Sequence, residues 1–307
     1  MGTVLFVSTT LFEDPYPRGQ VKTDNAATVV AAGKEMDRQL FVNGVGMTRL
    51  TPITKMMVHF PAAHIGKHPG DVLDGLVICF GMGTTFRSLA SWGADVTVVE
   101  LVPSVPTFFS YYFPDGPGLV QGSRGRLRIE IDDGRRFLDR TRKQYDLITV
   151  DPPPPVEAAA SSLLYTKEFY ASAIRRLKPG GILQAWLPEG DRETVAGVTL
   201  ALMESFPHVR AFLSVEGCGY HYMASMQPIP RLSDSELLSR MPDAARRDMM
   251  EWDEAAPSIT YLRAMLGYEL DPNSLLIDGS RWKTVAICDD RPINEFFFVR
   301  RYFRGAR

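Results

Sequence analysis

The rhythm of apolar and polar positions changes near residue 72, and that change divides the chain. Over residues 1–55 short runs of β-like composition (3–8, 26–32 and 39–42) alternate with polar turns, and the last run closes on the turn dipeptide Asn43-Gly44. This spacing predicts a small antiparallel unit, which needs a surface to pack on because isolated hairpins are marginal in water. Beyond residue 72, continuous apolar runs alternate with segments of helical period. Residues 76–80, 95–99, 126–131, 145–150 and 182–187 read as strands. The intervening helices are 84–92, 102–112, 134–142, 165–177 and 192–205, the second starting late because of Pro103 and Pro106. Lys178, Pro179, Gly180 and Gly181 read as a stop after the fourth helix.

Two further runs, 208–214 and 220–226, are joined through Glu216, Gly217, Cys218 and Gly219, a connection too short for a parallel pair. Alternation followed by one hairpin predicts an α/β fold: a class I methyltransferase-type, Rossmann-like, seven-stranded sheet with helices on both faces. A small N-terminal β unit precedes it. A helical C-terminal extension follows, with helices at 233–241, 244–253 and 258–266 and a β or turn tail at 284–292 and 296–299. The corresponding division is 1–58, 59–228 and 229–307.

Composition narrows the classes. The chain has 307 residues, 45% of them hydrophobic and 23% charged, with a formal net charge of −2. That balance argues against a nucleic-acid-coating surface, which would be strongly basic. The basic segment from Arg135 to Lys143 is interleaved with Asp139 and reads as a solvated helix face. Cys79, Cys218 and Cys288 are widely separated and odd in number, so they suggest neither a disulfide framework nor a metal site. No apolar run reaches the length of a membrane span and the N-terminus lacks a signal-peptide pattern. A cytoplasmic location is the expectation.

In a doubly wound sheet ligands bind outside the carboxyl ends of the strands, so the residues at those ends carry the chemistry. The first strand runs into Gly81 and Gly83, where the backbone can turn sharply and approach a ligand. Glu100 ends the second strand, seventeen residues after Gly83, where a carboxylate can accept both ribose hydroxyls. After the third strand come Asp132, Asp133 and Gly134; one aspartate can take an adenine amino group while the other caps the helix, and Asp133 is the favoured ligand. Asp151 ends the fourth strand, over the place where a reactive group would lie. Together these predict a nucleoside site of the S-adenosylmethionine type.

The residues that follow resemble the spermidine synthase (polyamine aminopropyltransferase) family. The resemblance runs through the glycine turn, Val98 to Glu100, Asp132 to Leu138, Tyr145 to Asp151, Leu164 to Tyr170 and Leu177 to Leu183. Phe41 to Gly44 and His59 to Pro61 resemble the family's N-terminal unit and its lead into the sheet. Thr51 to Met57, Gly219 to Tyr222 and Asp289 to Glu295 are similar to the bacterial spermidine-synthase-like domains often joined to membrane segments. The resemblance implies aminopropyl transfer from decarboxylated S-adenosylmethionine to a small-molecule amine, leaving methylthioadenosine, in a homodimer with no permanently bound cofactor. Glu100 would hold the ribose, Asp133 the adenine and Asp151 the attacking amine. A carboxylate there can orient the amine and accept its proton. Methyl or other alkyl transfer from S-adenosylmethionine, leaving S-adenosylhomocysteine, uses the same pocket, as would a non-catalytic nucleoside-binding domain.

Three positions depart from the family pattern. Pro154 stands where a second acid follows the fourth strand, Met82 beside the last turn glycine where an acid is usual, and Lys55 where a glutamate is usual. The acceptor side thus carries less negative charge than a long diamine needs. Tyr165, opening a helix after the proline loop, is a candidate acceptor-site residue, and packing explains it equally well. Glu189 and Asp191 stand where they could supply acceptor charge. Trp186 and His221 read as core or edge residues, with a role over the site as the alternative. Residues 152–162 read as a lid or a plain surface loop. His59, His64 and His68 lack metal-ligand spacing.

Overall fold

Two sheets carry the architecture. The computed structural model describes residues 16, 18–66, 71–152, 159–277 and 284–292. The first sheet is antiparallel, in the order β1 (Gln20–Thr23), β2 (Thr28–Ala32), β3 (Gln39–Val42), β4 (Val45–Arg49). Its central strands bury Val29, Val30, Ala31, Leu40 and Phe41. β3 has the bounds read from the sequence. β1 and β4 were not foreseen, because both are mostly polar or exposed and owe their β character to cross-strand pairing rather than to burial. The strand expected at 3–8 lies outside the described residues. Between β3 and β4, Asn43 and Gly44 take φ of 50° and 78°, as a two-residue hairpin turn requires.

The next element was also missed. α1 (Pro52–Ile65) begins where Thr51 accepts the Ile53 N–H and Pro52 occupies the first turn, where no donor is needed. Every residue from Ile53 to His64 is buried, so no polar stripe marks the helical period.

The main sheet comprises β5 (Asp74–Ile78), β6 (Asp95–Glu100), β7 (Leu127–Ile131), β8 (Tyr145–Val150), β9 (Leu177–Leu187), β10 (His208–Leu213), β11 (Tyr220–Ser225) and β12 (Glu269–Leu270). Its order is β12-β10-β11-β9-β8-β5-β6-β7. The run from β9 to β7 is parallel and the β9–β11–β10 pairings are antiparallel, giving the seven strands read from the sequence. The eighth is a two-residue edge strand, too short to show periodicity, pairing Leu270 with Ala211 and Glu269 with Phe212. β9 starts at Leu177 rather than at 182. The glycine pair sits inside a register shift, where Tyr145 pairs with Leu177 and Leu147 already pairs with Ile182.

Helices α2 (Thr84–Ala90), α3 (Phe109–Tyr112), α4 (Gly116–Gly122), α5 (Gly134–Arg140), α6 (Ala159–Ser162), α7 (Lys167–Ile174) and α8 (Arg192–Ser205) connect the strands. Of these, α4 carries three glycines and a proline and was not expected. The extension supplies α9 (Asp234–Arg240), α10 (Asp243–Met250) and α11 (Thr260–Gly267). One core cluster joins Leu40 of the first sheet, Met56 and Phe60 of α1, Phe86 of α2, and Leu237, Met249 and Leu262 of the extension. The opposite face buries Leu76, Ile148, Phe169, Leu202 and Tyr222. α1 runs unbroken through position 58 and packs against the first sheet's core as well as the extension's. Among the described residues no helix is long and apolar enough to cross a membrane.

Candidate functional site

Strand order reverses between β5 and β8, with β6 and β7 leading one way and β9 the other; a crevice opens at such a point. Lateral bonding continues one residue past the strands and levels their ends. Cys79 N–H donates to Val99 O at 2.9 Å, Asp132 N–H to Glu100 O at 3.0 Å, and Asp151 N–H to Ile78 O at 3.2 Å. A cavity of about 370 Å³ lies over these ends, lined by Cys79, Gly81, Glu100, Asp132, Asp133, Gly134 and Asp151. Leu40, Val42, Asn43, Val45, Met47 and Thr48 of the first sheet form its other wall. That wall was not foreseen, although the Asn43-Gly44 turn was a visible signal. It is held in place by Asp24, which accepts the Ser104 N–H at 2.7 Å, and by Tyr112, whose hydroxyl donates to Gln39 O at 3.1 Å.

The turn after β5 has Cys79, Gly81 and Gly83 at φ of 74°, 54° and 87°. A side chain at Gly83 would also come within 2.5 Å of the Phe109 ring, so both backbone and neighbour require glycine there. Met82 is buried in the core and is not among the lining residues. Cys79 has its thiol pushed up by burial and by the negative field of Glu100, Asp151 and Asp133, so it stays protonated.

Glu100 is buried, with Oε2 accepting the Phe80 N–H at 2.8 Å and Oε1 accepting the Val102 N–H at 2.9 Å. Burial raises its pKa and the backbone donors pull the other way. The two aspartates after β7 have separate local roles. Asp133 caps α5 by accepting the Arg136 N–H at 2.8 Å, so the favoured adenine ligand is also the cap. Asp132 accepts the Asp133 N–H at 3.0 Å and is paired with Arg136 at 3.1 Å and Arg140 at 2.6 Å. The basic segment is therefore more than a solvated face: Arg135 also pairs with Asp289 at 2.7 Å, and Lys143 with Asp74 at 2.8 Å.

Asp151 is different. Desolvation pushes its carboxyl up to about 7, with no compensating partner among the described residues. Its charge therefore changes near neutral pH.

Several expectations are redirected. Tyr165 is fully buried and its hydroxyl donates to Trp186 O at 2.9 Å, while its neighbour Leu164 lines the cavity. Asp191 caps α8, accepting the Glu193 and Thr194 N–H groups at 3.0 and 3.1 Å, and is committed to the helix start. Glu189 is exposed. Lys55 lies away from the cavity, 2.6 Å from Glu251 and over the Trp252 ring. His59 accepts the Trp92 indole N–H at 3.0 Å and bonds Asp248 at 2.8 Å; His64 bonds Phe60 O at 2.9 Å and Arg210 at 3.2 Å. Both histidines have both ring nitrogens occupied. His68, Pro154 and most of the 152–162 segment lie outside the described residues.

A family model for the spermine/spermidine synthase domain matches residues 51–214. A polyamine aminopropyltransferase of Sulfurisphaera tokodaii is 30% identical over 139 residues, covering 44% of this chain and 46% of that one. That of Saccharolobus islandicus is 26% identical over 222 residues, covering 67% and 70%. The chain thus spans less than half of the first relative and about two thirds of the second. Among solved structures, spermidine synthase in complex with the transition-state analogue AdoDATO superimposes with a TM-score of 0.56 at 16% identity, covering 75% of this chain and 87% of that one. This last likeness concerns the fold.

Proposed function

Because the chain belongs to the spermine/spermidine synthase family, a family of transferases, we propose that it moves an aminopropyl group from decarboxylated S-adenosylmethionine to a small-molecule amine. The observation that carries the choice of donor is the charge of the cavity. Glu100, Asp132, Asp133 and Asp151 line it, and no Lys, Arg or His stands among its described lining residues. S-adenosylmethionine would bring an α-carboxylate into that field without a cation to meet it. The decarboxylated donor brings only a sulfonium and an ammonium, which the lining attracts.

In this reading Glu100 accepts the ribose hydroxyls, and Asp133 offers its second oxygen to the adenine amino group. The glycine turn admits the sulfur close to the backbone. The acceptor nitrogen attacks the propyl carbon bound to sulfur as the C–S bond breaks; the electron pair stays on sulfur and methylthioadenosine leaves. Asp151, ionised above about pH 7, takes the proton that the new ammonium sheds. Holding the amine in line is most of the catalytic task, since the sulfonium is already an activated leaving group.

A second reading, methyl transfer from S-adenosylmethionine, draws on the apolar wall of Leu40, Val42, Val45 and Met47, which suits an uncharged acceptor. Incubation with each donor and a panel of amines, followed by mass spectrometry, separates the two. Methylthioadenosine release with an N-aminopropyl product is expected. S-adenosylhomocysteine as the sole product would replace the first reading with the second.

A further inference from the structure

The main sheet carries a second polar feature beside Asp151. Thr149 of β8 faces α1, its hydroxyl donating to Met57 O at 3.3 Å, and side chains alternate along a strand, so Asp151 faces the same way. On β9, Leu183, Ala185 and Leu187 belong to the opposite core, which leaves Gln184 and Trp186 on the α1 face. Register extends the row: Val150 pairs with Ala185, and Trp186 pairs with His221 on β11. Asp151, Trp186 and His221 thus stand side by side at one level, with Gln184 one step behind. Two strand spacings, about 10 Å of backbone, separate Asp151 from His221.

Gln184 and His221 are each only 1% exposed, and the Trp186 ring lies 4.9 Å from the imidazole. Gln184 Nε2 and His221 Nδ1 are 3.4 Å apart. Gln184 Oε1 and His221 Nε2 have no hydrogen-bond partner among the described residues. Burial drives the imidazole pKa down to about 3, so the ring is neutral. If the amide donates to Nδ1, the ring presents an Nε2–H donor and the glutamine an acceptor; with both groups turned over, the glutamine presents the donor and the ring the acceptor. In either arrangement the pair offers one donor and one acceptor, both desolvated and unmet. Such a pair complements a neutral hydroxyl, amine or carboxamide. An ammonium, which has three donors and no acceptor, leaves the pair's donor facing a charge.

We propose that Gln184 and His221, behind Trp186, bind the far end of the acceptor, and that the acceptor is a monoamine with an uncharged polar terminus rather than a diamine. The proposal rests on the amine-transfer reading above. The backbone span of about 10 Å, less the length of the two side chains, sets the proposed acceptor at roughly four carbons.

The test uses a length-matched pair, 4-aminobutan-1-ol and butane-1,4-diamine, with decarboxylated S-adenosylmethionine as donor. The amino alcohol is expected to have the higher kcat/KM, by about tenfold or more. The double variant Gln184→Leu with His221→Phe should abolish that preference. Because it removes both unmet groups together, it should also raise the melting temperature of the ligand-free protein by about 2–4 °C or more. Preference for the diamine, or a preference for the alcohol that survives the double variant, overturns the proposal and leaves the transferase reading intact. Calorimetry with each amine in the presence of methylthioadenosine covers the opposite case. Without any turnover, amino-alcohol binding that the double variant removes would uphold the subsite and sink the transfer reading; alcohol binding no tighter than diamine binding would overturn the subsite as well.

Discussion

Two acidic centres of this molecule, one buried and one half-buried at the cavity, are built on opposite plans. Between α1, α2 and α10, Asp248 is met by His59 at 2.8 Å, Ser88 at 2.6 Å and Arg87 at 2.9 Å. Lys55 bridges Asp248 and Glu251, and Arg87 also reaches Glu251 at 2.8 Å. At the carboxyl ends of the strands, half-buried Asp151 has no compensating partner among the described residues. Burial by itself would raise Asp248 too, but the His59 bond and the Lys55 charge overcome it and hold the carboxyl below the ordinary range. Asp151 instead rises to about 7. A paired buried acid fastens elements together, whereas an unpaired one is kept ready for a cation that arrives from outside.

The sharpest way to break this contrast is Asp151→Asn. It should lower kcat by about 10²–10⁴ while nucleoside affinity changes little, since the lost group acts on the amine. In the native protein, kcat/KM should rise with pH through about 7 as the carboxylate forms. Stability should move the other way. The folded carboxyl binds a proton that the unfolded chain, with a value near 3.8, has released, so this group's contribution falls as pH rises between those values. The variant should therefore be the more stable protein above pH 7, by roughly 1–3 kcal/mol, with the gap closing below pH 4. A variant less stable at pH 8 would show that Asp151 has a hidden partner.

Asp248→Ala tests the other half. Removing Asp248 leaves Lys55 with Glu251 alone and Arg87 with Glu251 and the more exposed Asp115, and urea unfolding should show a loss of about 3–5 kcal/mol. The native pair's contribution is present above pH 3.8 and is lost only as pH falls through the depressed folded value, so wild type and variant should converge only in strong acid. A loss below about 1 kcal/mol would mean that the cluster is no fastening. Catalysis per folded molecule should be unchanged.

The strand-end half of this contrast was legible in the sequence because parallel strands place function at fixed, countable positions. β8, α8 and the candidate set Gly81, Gly83, Glu100 and Asp151 all follow from apolar runs ended by glycine or acid. The paired centre was not legible. α1 is buried all round, so its period is silent, and Lys55 meets Asp248 across 193 positions that no local pattern connects. Lys55 therefore read as a misplaced cation in the acceptor site. Asp133 and Asp191 show the converse limit. An aspartate before a helix is both a cap and a candidate ligand, and only the N–H groups it accepts reveal that the capping role is filled.

Glu100→Gln probes a group between the two plans, buried yet fed by backbone donors. Loss of the charge should weaken nucleoside binding by about 1–3 kcal/mol in calorimetry, and because the amide has one oxygen where the carboxylate has two, one of the Phe80 and Val102 N–H groups also loses its acceptor at a cost of about 1–3 kcal/mol of stability. Unchanged affinity would remove Glu100 from the site.

The smallest expected effect belongs to Tyr165→Phe. The tyrosine hydroxyl lies inside the core and is spent on Trp186 O, at the end of β9 beside Asp151. Burial holds it far above its ordinary pKa, and the neighbouring Tyr170 and Asp151 push it the same way, so it is a poor proton donor to an amine. The phenylalanine keeps the ring and drops one buried hydrogen bond, which costs about 1 kcal/mol of stability. If that carbonyl serves only to position β9, kcat should fall no more than about threefold and its pH profile should keep the Asp151 limb unchanged. A fall of a hundredfold with a displaced limb would place Tyr165 among the groups that touch the reacting amine. The cavity would then have to reach one residue deeper than Leu164.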